Sequence, residues 1–230
     1  MSTVTSDPET TPDTDGAPAR GPVRWVSGLL VAVIAVAALL AGGGLAVALG
    51  IGRTDDPTVG SVDVGFAQDM SRHHLQAVEM ANLAPDRSTD PEVRQLAFDI
   101  SATQTNQTGR MQGWLSLWGA PITNRDTMTW MGEGAHDHAM AEGGLMPGMA
   151  TEDELAELRS LSGTAFDVRF LQLMIRHHQG GLEMATEGAD HASVGVVRGL
   201  ARSIAETQAA ESTTMAQMLA ARGASPLPAP

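Results

Sequence analysis

Residues 66–81 read FAQDMSRHHLQAVEMA and residues 170–185 read FLQLMIRHHQGGLEMA, so one block of sequence occurs twice. The second copy lies 104 positions after the first, and this offset continues without a gap to Gly119 and Gly223. Of those 54 aligned positions, 20 are identical. Self-similarity at a fixed offset indicates an internal duplication. The sequence therefore predicts two similar halves.

Each copy has the pattern of a helical hairpin. Apolar and His residues of the first copy recur with 4-3-4-3 spacing, which places them on one stripe of a helix: Phe66, Met70, His73, Ala77 and Met80. Asp90-Pro91-Glu92 is a typical start for a second helix, with an N-cap, a proline and an acid in the first turn. Thr151 to Glu154 has the pattern of a capping box, which predicts a short helix.

The predicted fold class is all-α: a four-helix bundle of two repeated hairpins, preceded by one transmembrane helix. The predicted organisation is a disordered cytoplasmic tail at 1–24, a transmembrane helix at 25–52, a linker at 53–61, the bundle at 62–223 and a tail at 224–230. Within the bundle, the first hairpin occupies 62–119, a crossover rich in Met, His and Gly with a short helix occupies 120–162, and the second hairpin occupies 163–223.

The stretch from Trp25 to Gly52 has no charged residue and is long enough to cross a membrane. Arg20 and Arg24 precede it, so the positive-inside rule places the N-terminus in the cytoplasm. A cleaved signal peptide is the alternative, because Ala46-Val47-Ala48 resembles a cleavage site. The length of the stretch favours the anchor. On either interpretation, the bundle is extracytoplasmic, and we expect a single-pass protein of the cell membrane.

Composition excludes several classes of function. The net charge is −13, with 27 acids against 14 bases. An acidic chain without a basic patch is not expected to bind nucleic acid. The absence of Cys excludes disulfides, thiolate metal sites and a Cys nucleophile. The chain is instead rich in thioether and imidazole, with 13 Met and 7 His.

The repeated His pairs and their flanking Met residues are the candidate metal ligands. Adjacent helical residues differ by about 100° around the axis, so one His of each pair points inward and the other lies at the seam or faces a neighbouring helix. If the two repeat helices pack together, four His and four Met meet on one seam. Imidazole and thioether suit Cu(I), by extension Ag(I), and Cu(II). The alternative is core packing, for which Met at helical spacing is common. The predicted ligands are Met70, His73, His74, Met80, Met174, His177, His178 and Met184.

Three further features allow two interpretations each. The crossover is either a soft-metal loop or an ordinary Gly-rich linker; its candidates are Met128, Met131, His136, His138, Met140, Met146 and Met149. Glu79 and Glu183 either orient an imidazole or pair with Arg72 and Arg176 at the surface. Gln104 and Gln208 repeat as well, and we expect them to form hydrogen bonds within the bundle.

At these residues the chain resembles a bacterial family, the domain of unknown function numbered 305. The resemblance covers roughly residues 60–223 and implies a ferritin-like helical bundle in the cell envelope. Some relatives, the CopM-like proteins, bind copper and are linked to copper resistance, while most members have no assigned function. One departure is Gly180-Gly181, where helix formers are usual, and this predicts a loosened helix. The resemblance rests on Met70, His73-His74, Met80-Ala81, Trp114-Leu115, Trp118-Gly119, Met146-Pro147-Gly148-Met149, Phe166-Asp167, Phe170, Met174-Ile175, His177-His178 and Met184-Ala185.

We therefore expect a membrane-anchored, extracytoplasmic protein that binds copper or silver for buffering, chaperoning or resistance, and that is not an enzyme. Its expected partners are the membrane and a metal ion, while a homo-oligomer or a copper-exchanging protein stays open. One alternative is a structural or partner-binding bundle without metal. The other is a di-iron oxidase, which requires two Glu-x-x-His motifs, and neither helical repeat carries one.

Overall fold

The structure, a computed structural model, describes residues 23–52, 55–132 and 144–230. These residues form helices and contain no β-strand, which confirms the predicted all-α class. The chain divides into two compact units, with the boundary in the sequence between Asp55 and Asp56. The helices are α1 (Val23–Ala48), α2 (Val62–Ala81), α3 (Ala84–Arg87), α4 (Pro91–Leu117), α5 (Glu152–Ser160), α6 (Gly163–His191) and α7 (Gly195–Ala221).

Helix α1 is apolar over its length. The stretch Trp25–Ala48 has a mean hydropathy of 2.6 and none of it is buried. Its length and composition suit a membrane span, and its place near the N-terminus also suits a signal sequence. The helix ends four residues before the predicted end of the span at Gly52, because a turn follows in which Gly50 and Gly52 take positive φ angles of 67° and 84°.

The second unit is built from two antiparallel hairpins. Helix α2 packs against α4, helix α6 packs against α7, and the two hairpins meet where α2 contacts α6. The short helices α3 and α5 pack on α4 and α6, respectively. The two helices that carry the repeated His-His pairs therefore lie side by side, as the sequence predicts.

The predicted helix starts are confirmed by their hydrogen bonds. Asp90 accepts from the backbone N–H groups of Glu92 and Val93, at 2.8 and 3.4 Å. Thr151 and Glu154 form the reciprocal capping box. Helix α3 was not predicted, because three of its four residues lie in the segment 85–90, whose polar composition is typical of a turn.

The core of the bundle consists of two apolar clusters rather than one. The first, here called the Met-rich cluster, includes Met70 and Met184 together with five further methionines. The second, here called the Phe cluster, includes Phe166, Phe170, Met80 and Met174. Because α2 and α6 run antiparallel, equivalent methionines of the two copies lie in opposite clusters. The five further methionines are Met111, Met128, Met131, Met146 and Met149.

A carboxylate of the first hairpin caps the N-terminus of α7, the last helix of the second hairpin. The N-cap of α7, Val194, has no side chain that can accept a hydrogen bond. The Asp63 carboxylate accepts instead from the N–H groups of Ser193 and Val194, at 2.9 and 2.8 Å. Asp167 lies 104 positions after Asp63. Since α4 already has its own cap at Asp90, the Asp167 Oδ1 atom has no hydrogen-bond partner among the described residues.

This difference predicts unequal effects of two equivalent substitutions. Asp63→Ala removes both acceptors from the start of α7 and should lower the free energy of unfolding by about 2 kcal/mol. The matched substitution Asp167→Ala should have a clearly smaller effect. Urea denaturation of both variants measures the difference, and equal losses would contradict the assigned capping role.

Candidate metal centre

The four repeated histidines form a buried polar layer between the two apolar clusters. His73 and His74 of α2 and His177 of α6 are 0% exposed, and His178 is 1% exposed. The rings of His73 and His177 lie 3.7 Å apart between centroids, with an angle of 35° between their planes. One His of each pair thus meets its counterpart across the α2–α6 contact.

The other two histidines turn toward the second helix of their own hairpin. His74 Nε2 lies 2.8 Å from Gln107 Oε1 on α4, and His178 Nε2 lies 2.6 Å from Glu211 Oε2 on α7. The predicted division of each pair, with one His inward and one toward a neighbouring helix, matches this geometry. Both members are nevertheless fully buried, because the neighbouring helix covers the outer one.

Hydrogen bonds fix the tautomer of three imidazoles. Gln107 Oε1, the Glu211 carboxylate and the Pro147 carbonyl are acceptors, and the last lies 3.1 Å from His73 Nε2. Each of these histidines therefore donates through Nε2–H. The Nδ1 lone pair of each stays free within the layer.

Unsatisfied polar atoms are concentrated in this layer. Thirteen buried side-chain nitrogen or oxygen atoms of the described residues lack a hydrogen-bond partner, and ten of them belong to the layer. Such atoms are rare in native proteins and each requires an explanation. The expectation that Gln104 and Gln208 bond within the bundle is wrong, since neither amide has a partner. The ten are Nδ1 of His73, His74, His177 and His178, Nε2 of His177, both amide atoms of Gln104 and Gln208, and Oγ1 of Thr108.

Burial keeps the imidazoles of His73, His74 and His177 neutral. It lowers the pKa of His73 to about 4 and that of His74 to about 3. Burial and the neighbouring histidines hold the pKa of His177 well below its usual value of 6.5. Neutral imidazole is the form that coordinates a metal ion, so at neutral pH these side chains need not lose a proton to act as ligands.

The crossover segment at Pro147 and Gly148 packs directly against α6, at a point where α6 has glycine residues. A Cβ atom added at Gly180 would lie 2.1 Å from the Pro147 carbonyl oxygen, and one at Gly148 would lie 2.3 Å from the Arg176 carbonyl oxygen. A Cβ at Gly181 would lie 2.7 Å from Gln208 Oε1. The prediction of a loosened helix is wrong, because α6 continues through both glycines. Their missing side chains allow the backbone of the loop to touch the helix.

The four described crossover methionines are core residues. Met128, Met131, Met146 and Met149 are buried in the Met-rich cluster with Met70 and Met184. The remaining loop candidates, His136, His138 and Met140, lie outside the described residues. Asp69 anchors one arm of the crossover by accepting from the Met128 N–H and the Trp130 indole N–H, at 2.7 and 2.8 Å.

The repeated glutamates do not orient the histidines. Glu79 forms a surface ion pair with Arg159, and Glu183 is exposed. The orienting residues are Gln107 and Glu211, which the sequence analysis did not single out. A signal was present, since each lies 33 positions after the His it contacts and the 104-residue offset relates the two.

The donor set limits the kind of metal site that can form here. Among the described residues, no three His, Cys, Asp or Glu side chains are arranged to hold a metal ion. The four Met thioethers of the repeats are fully buried on both sides of the histidine layer. The donors that the layer and its two flanking clusters offer are therefore imidazole and thioether, which are soft to borderline.

Comparisons with known proteins agree with this architecture. The family model described as Domain of unknown function (DUF305) matches residues 63–219. A DUF305 protein from Streptomyces coelicolor, described as secreted, is 47% identical, with a TM-score of 0.68, and the match covers 74% of this chain and 99% of that one. A DUF305 fragment from Deinococcus radiodurans is 36% identical, with a TM-score of 0.57, and the match covers 70% and 96%.

CopM is also similar. Its Cu(II)-bound structure is 27% identical, with a TM-score of 0.55, and its Cu(I)-bound structure is 25% identical, with a TM-score of 0.53. Both matches cover 69% of this chain and 96% of CopM. The comparison with curated proteins gave no match. The matched structures consist almost wholly of the helical unit, so this unit (residues 56–230) is suited to the stability measurements proposed below.

The buried histidines predict sensitivity to acid. The pKa values of His73, His74 and His177 are lowered in the folded state, so the unfolded chain takes up protons first as the pH falls. The free energy of unfolding should reach its full value above about pH 6.5. It should fall between about pH 6.5 and pH 4, by about 1.4 kcal/mol per pH unit for each of these three histidines. Urea titrations at several pH values measure this slope. His74→Asn should reduce it and the exposed His191→Asn should not; identical slopes would contradict the prediction.

The contact between loop and helix predicts opposite effects of two Gly→Ala changes. Gly180→Ala should destabilise the helical unit by about 1–3 kcal/mol, because the new methyl group displaces the Pro147 backbone. Gly109 lies at an exposed position of α4 with open space around it, so Gly109→Ala should stabilise the helical unit by about 0.5–1 kcal/mol. Thermal unfolding measures both. A stable Gly180→Ala variant would show that the loop does not depend on this approach.

Proposed function

The chain belongs to the DUF305 family, and from this premise we propose that it is a membrane-anchored, extracytoplasmic protein that binds copper, as Cu(I) or Cu(II), or silver. Its role is buffering, chaperoning or resistance rather than catalysis. One observation carries the proposal: four buried imidazoles present unpartnered Nδ1 atoms in one layer. Buried nitrogen lone pairs without a hydrogen bond are free to coordinate an ion.

The hydrogen bonds around the layer support a ligand role. Metal-binding histidines usually donate their second ring N–H to a carboxylate, a backbone carbonyl or a similar acceptor, which fixes the ring. His178 and His73 donate to the Glu211 carboxylate and the Pro147 carbonyl, and His74 donates to the Gln107 amide. Each acceptor holds its ring with Nδ1 free.

The thioethers provide the soft component of the donor set. Met70 and Met184 lie in the Met-rich cluster on one side of the layer, and Met80 and Met174 lie in the Phe cluster on the other. Each side thus has one methionine from each copy. Mixed imidazole and thioether ligands prefer Cu(I) and Ag(I), and a larger share of imidazole suits Cu(II). The proposed ligands are Met70, His73, His74, Met80, Met174, His177, His178 and Met184.

The relatives support copper as the ion. CopM was solved in Cu(I)-bound and Cu(II)-bound forms, and it shares the helical fold. An apolar first helix suits a protein whose bundle lies outside the cytoplasm. A site without Cys is appropriate there, because thiolates oxidise in an oxidising compartment.

A purely structural role explains the layer less well. Each buried polar group without a partner costs about 1–3 kcal/mol relative to a satisfied one. Ten such atoms in one layer therefore lower the stability of a domain of this size considerably. Coordination of an ion converts this unfavourable layer into a binding site. A di-iron enzyme on such a bundle requires two Glu-x-x-His motifs, and neither helical repeat carries one.

Metal titration of the purified full chain in detergent tests the proposal. Cu(I) and Ag(I) should bind in competition with a chromophoric chelator. Replacement of His73, His74, His177 and His178 by Asn should abolish this binding, while His191→Asn, a change at an exposed histidine of α6, should leave it unchanged. Circular dichroism checks that the fourfold variant stays helical. Undiminished binding by a helical fourfold variant, or no binding by the natural chain, would refute the proposal.

A further inference from the structure

The two halves of the histidine layer differ at one equivalent position. The 104-residue offset that relates His74 to His178 also relates Gln107 to Glu211. Both partners accept a hydrogen bond from the His Nε2–H, at 2.8 Å in the first half and 2.6 Å in the second. The geometry is therefore preserved, whereas an amide in one half is replaced by a carboxylate in the other.

Glu211 is the acidic side chain that contacts the layer. The other polar members of the layer are His, Gln and Thr, which carry no charge when the imidazoles are neutral. Arg176, next to His177 in sequence, forms an ion pair with Glu154 at 2.5 Å. Glu79 pairs with Arg159 at the surface. Among the described residues, Glu211 is thus the carboxylate that hydrogen-bonds a histidine of the layer, and it lies in the second half.

We infer that Glu211 shifts the affinity of the site toward divalent Cu(II) relative to monovalent Cu(I) or Ag(I). The inference rests on the proposed function. The Coulomb energy between the carboxylate and an ion is proportional to the charge of the ion, so Glu211 stabilises a divalent ion about twice as much as a monovalent one. The Glu211 side chain is 18% exposed, so water only partly screens this interaction.

Substitution by the residue of the other half isolates the charge. Glu211→Gln keeps an acceptor oxygen for His178, as Gln107 does for His74, and removes the negative charge. We expect the affinity of the full chain to fall about threefold for Ag(I) and about tenfold for Cu(II). The Coulomb energy between Glu211 and the ion is twice as large for Cu(II), and doubling an interaction energy squares the fold-change in affinity. Glu211 acts through His178 and is a positioning and charge-compensating residue, so the measured quantity is the Cu(II)/Ag(I) ratio.

Three matched variants complete the test. Gln107→Glu should raise the Cu(II)/Ag(I) ratio, Glu211→Asp should keep it near the natural value, and Glu183→Gln, which changes an exposed carboxylate of α6, should not alter it. Nitrogen-15 NMR of the metal-free Glu211→Gln protein should show His178 still protonated at Nε2. That result separates loss of charge from loss of the hydrogen bond.

The outcomes separate this inference from the proposed function. An unchanged ratio in Glu211→Gln, or equal losses for both ions, overturns the charge role while metal binding by the natural chain stands. The charge role is also overturned if a folded Glu211→Asp variant has the same Cu(II)/Ag(I) affinity ratio as Glu211→Gln. If the natural chain binds neither ion, the proposed function fails and the inference fails with it.

Discussion

The burial of four imidazoles between two apolar clusters is the constraint on which the rest of the bundle depends. A polar layer in a core is tolerated only when its hydrogen bonds are satisfied or when it holds a ligand. Here the partner helices and the loop satisfy the Nε2–H groups of His73, His74 and His178, while all four Nδ1 atoms and the Nε2 atom of His177 have no hydrogen-bond partner among the described residues. The hydrogen bonds of the layer are therefore satisfied on one side of three rings only.

The 104-residue offset in the sequence supports this interpretation, because residues of one half can be compared with their counterparts in the other. Asp63 caps α7 across the hairpins, whereas the Oδ1 atom of its counterpart Asp167 has no hydrogen-bond partner among the described residues, and α4 is capped by Asp90 instead. Where the two copies keep the same residue in the layer, the structure gives it the same burial. Where they differ, as at Gln107 and Glu211, the difference changes charge and keeps shape.

The sequence allowed much of the fold to be predicted and less of the site. Helix starts at Asp90 and Thr151 were predictable because caps are local interactions. The pairing of Asp63 with the start of α7 was not, because it joins residues about 130 positions apart. Gly180 and Gly181 were misread as weak points, since helix propensity cannot show that the loop backbone at Pro147 and the Gln208 side chain, respectively, occupy the space of the missing side chains.

The crossover belongs to the site as much as the helices do, and it makes the inner histidines unequal. The Pro147 carbonyl accepts a hydrogen bond from the His73 ring, whereas no loop carbonyl of the described residues accepts one from the equivalent His177. An approximately symmetric bundle thus acquires an asymmetric centre, in which the loop fixes one inner ring and the other is held by packing against it, with 3.7 Å between the ring centroids.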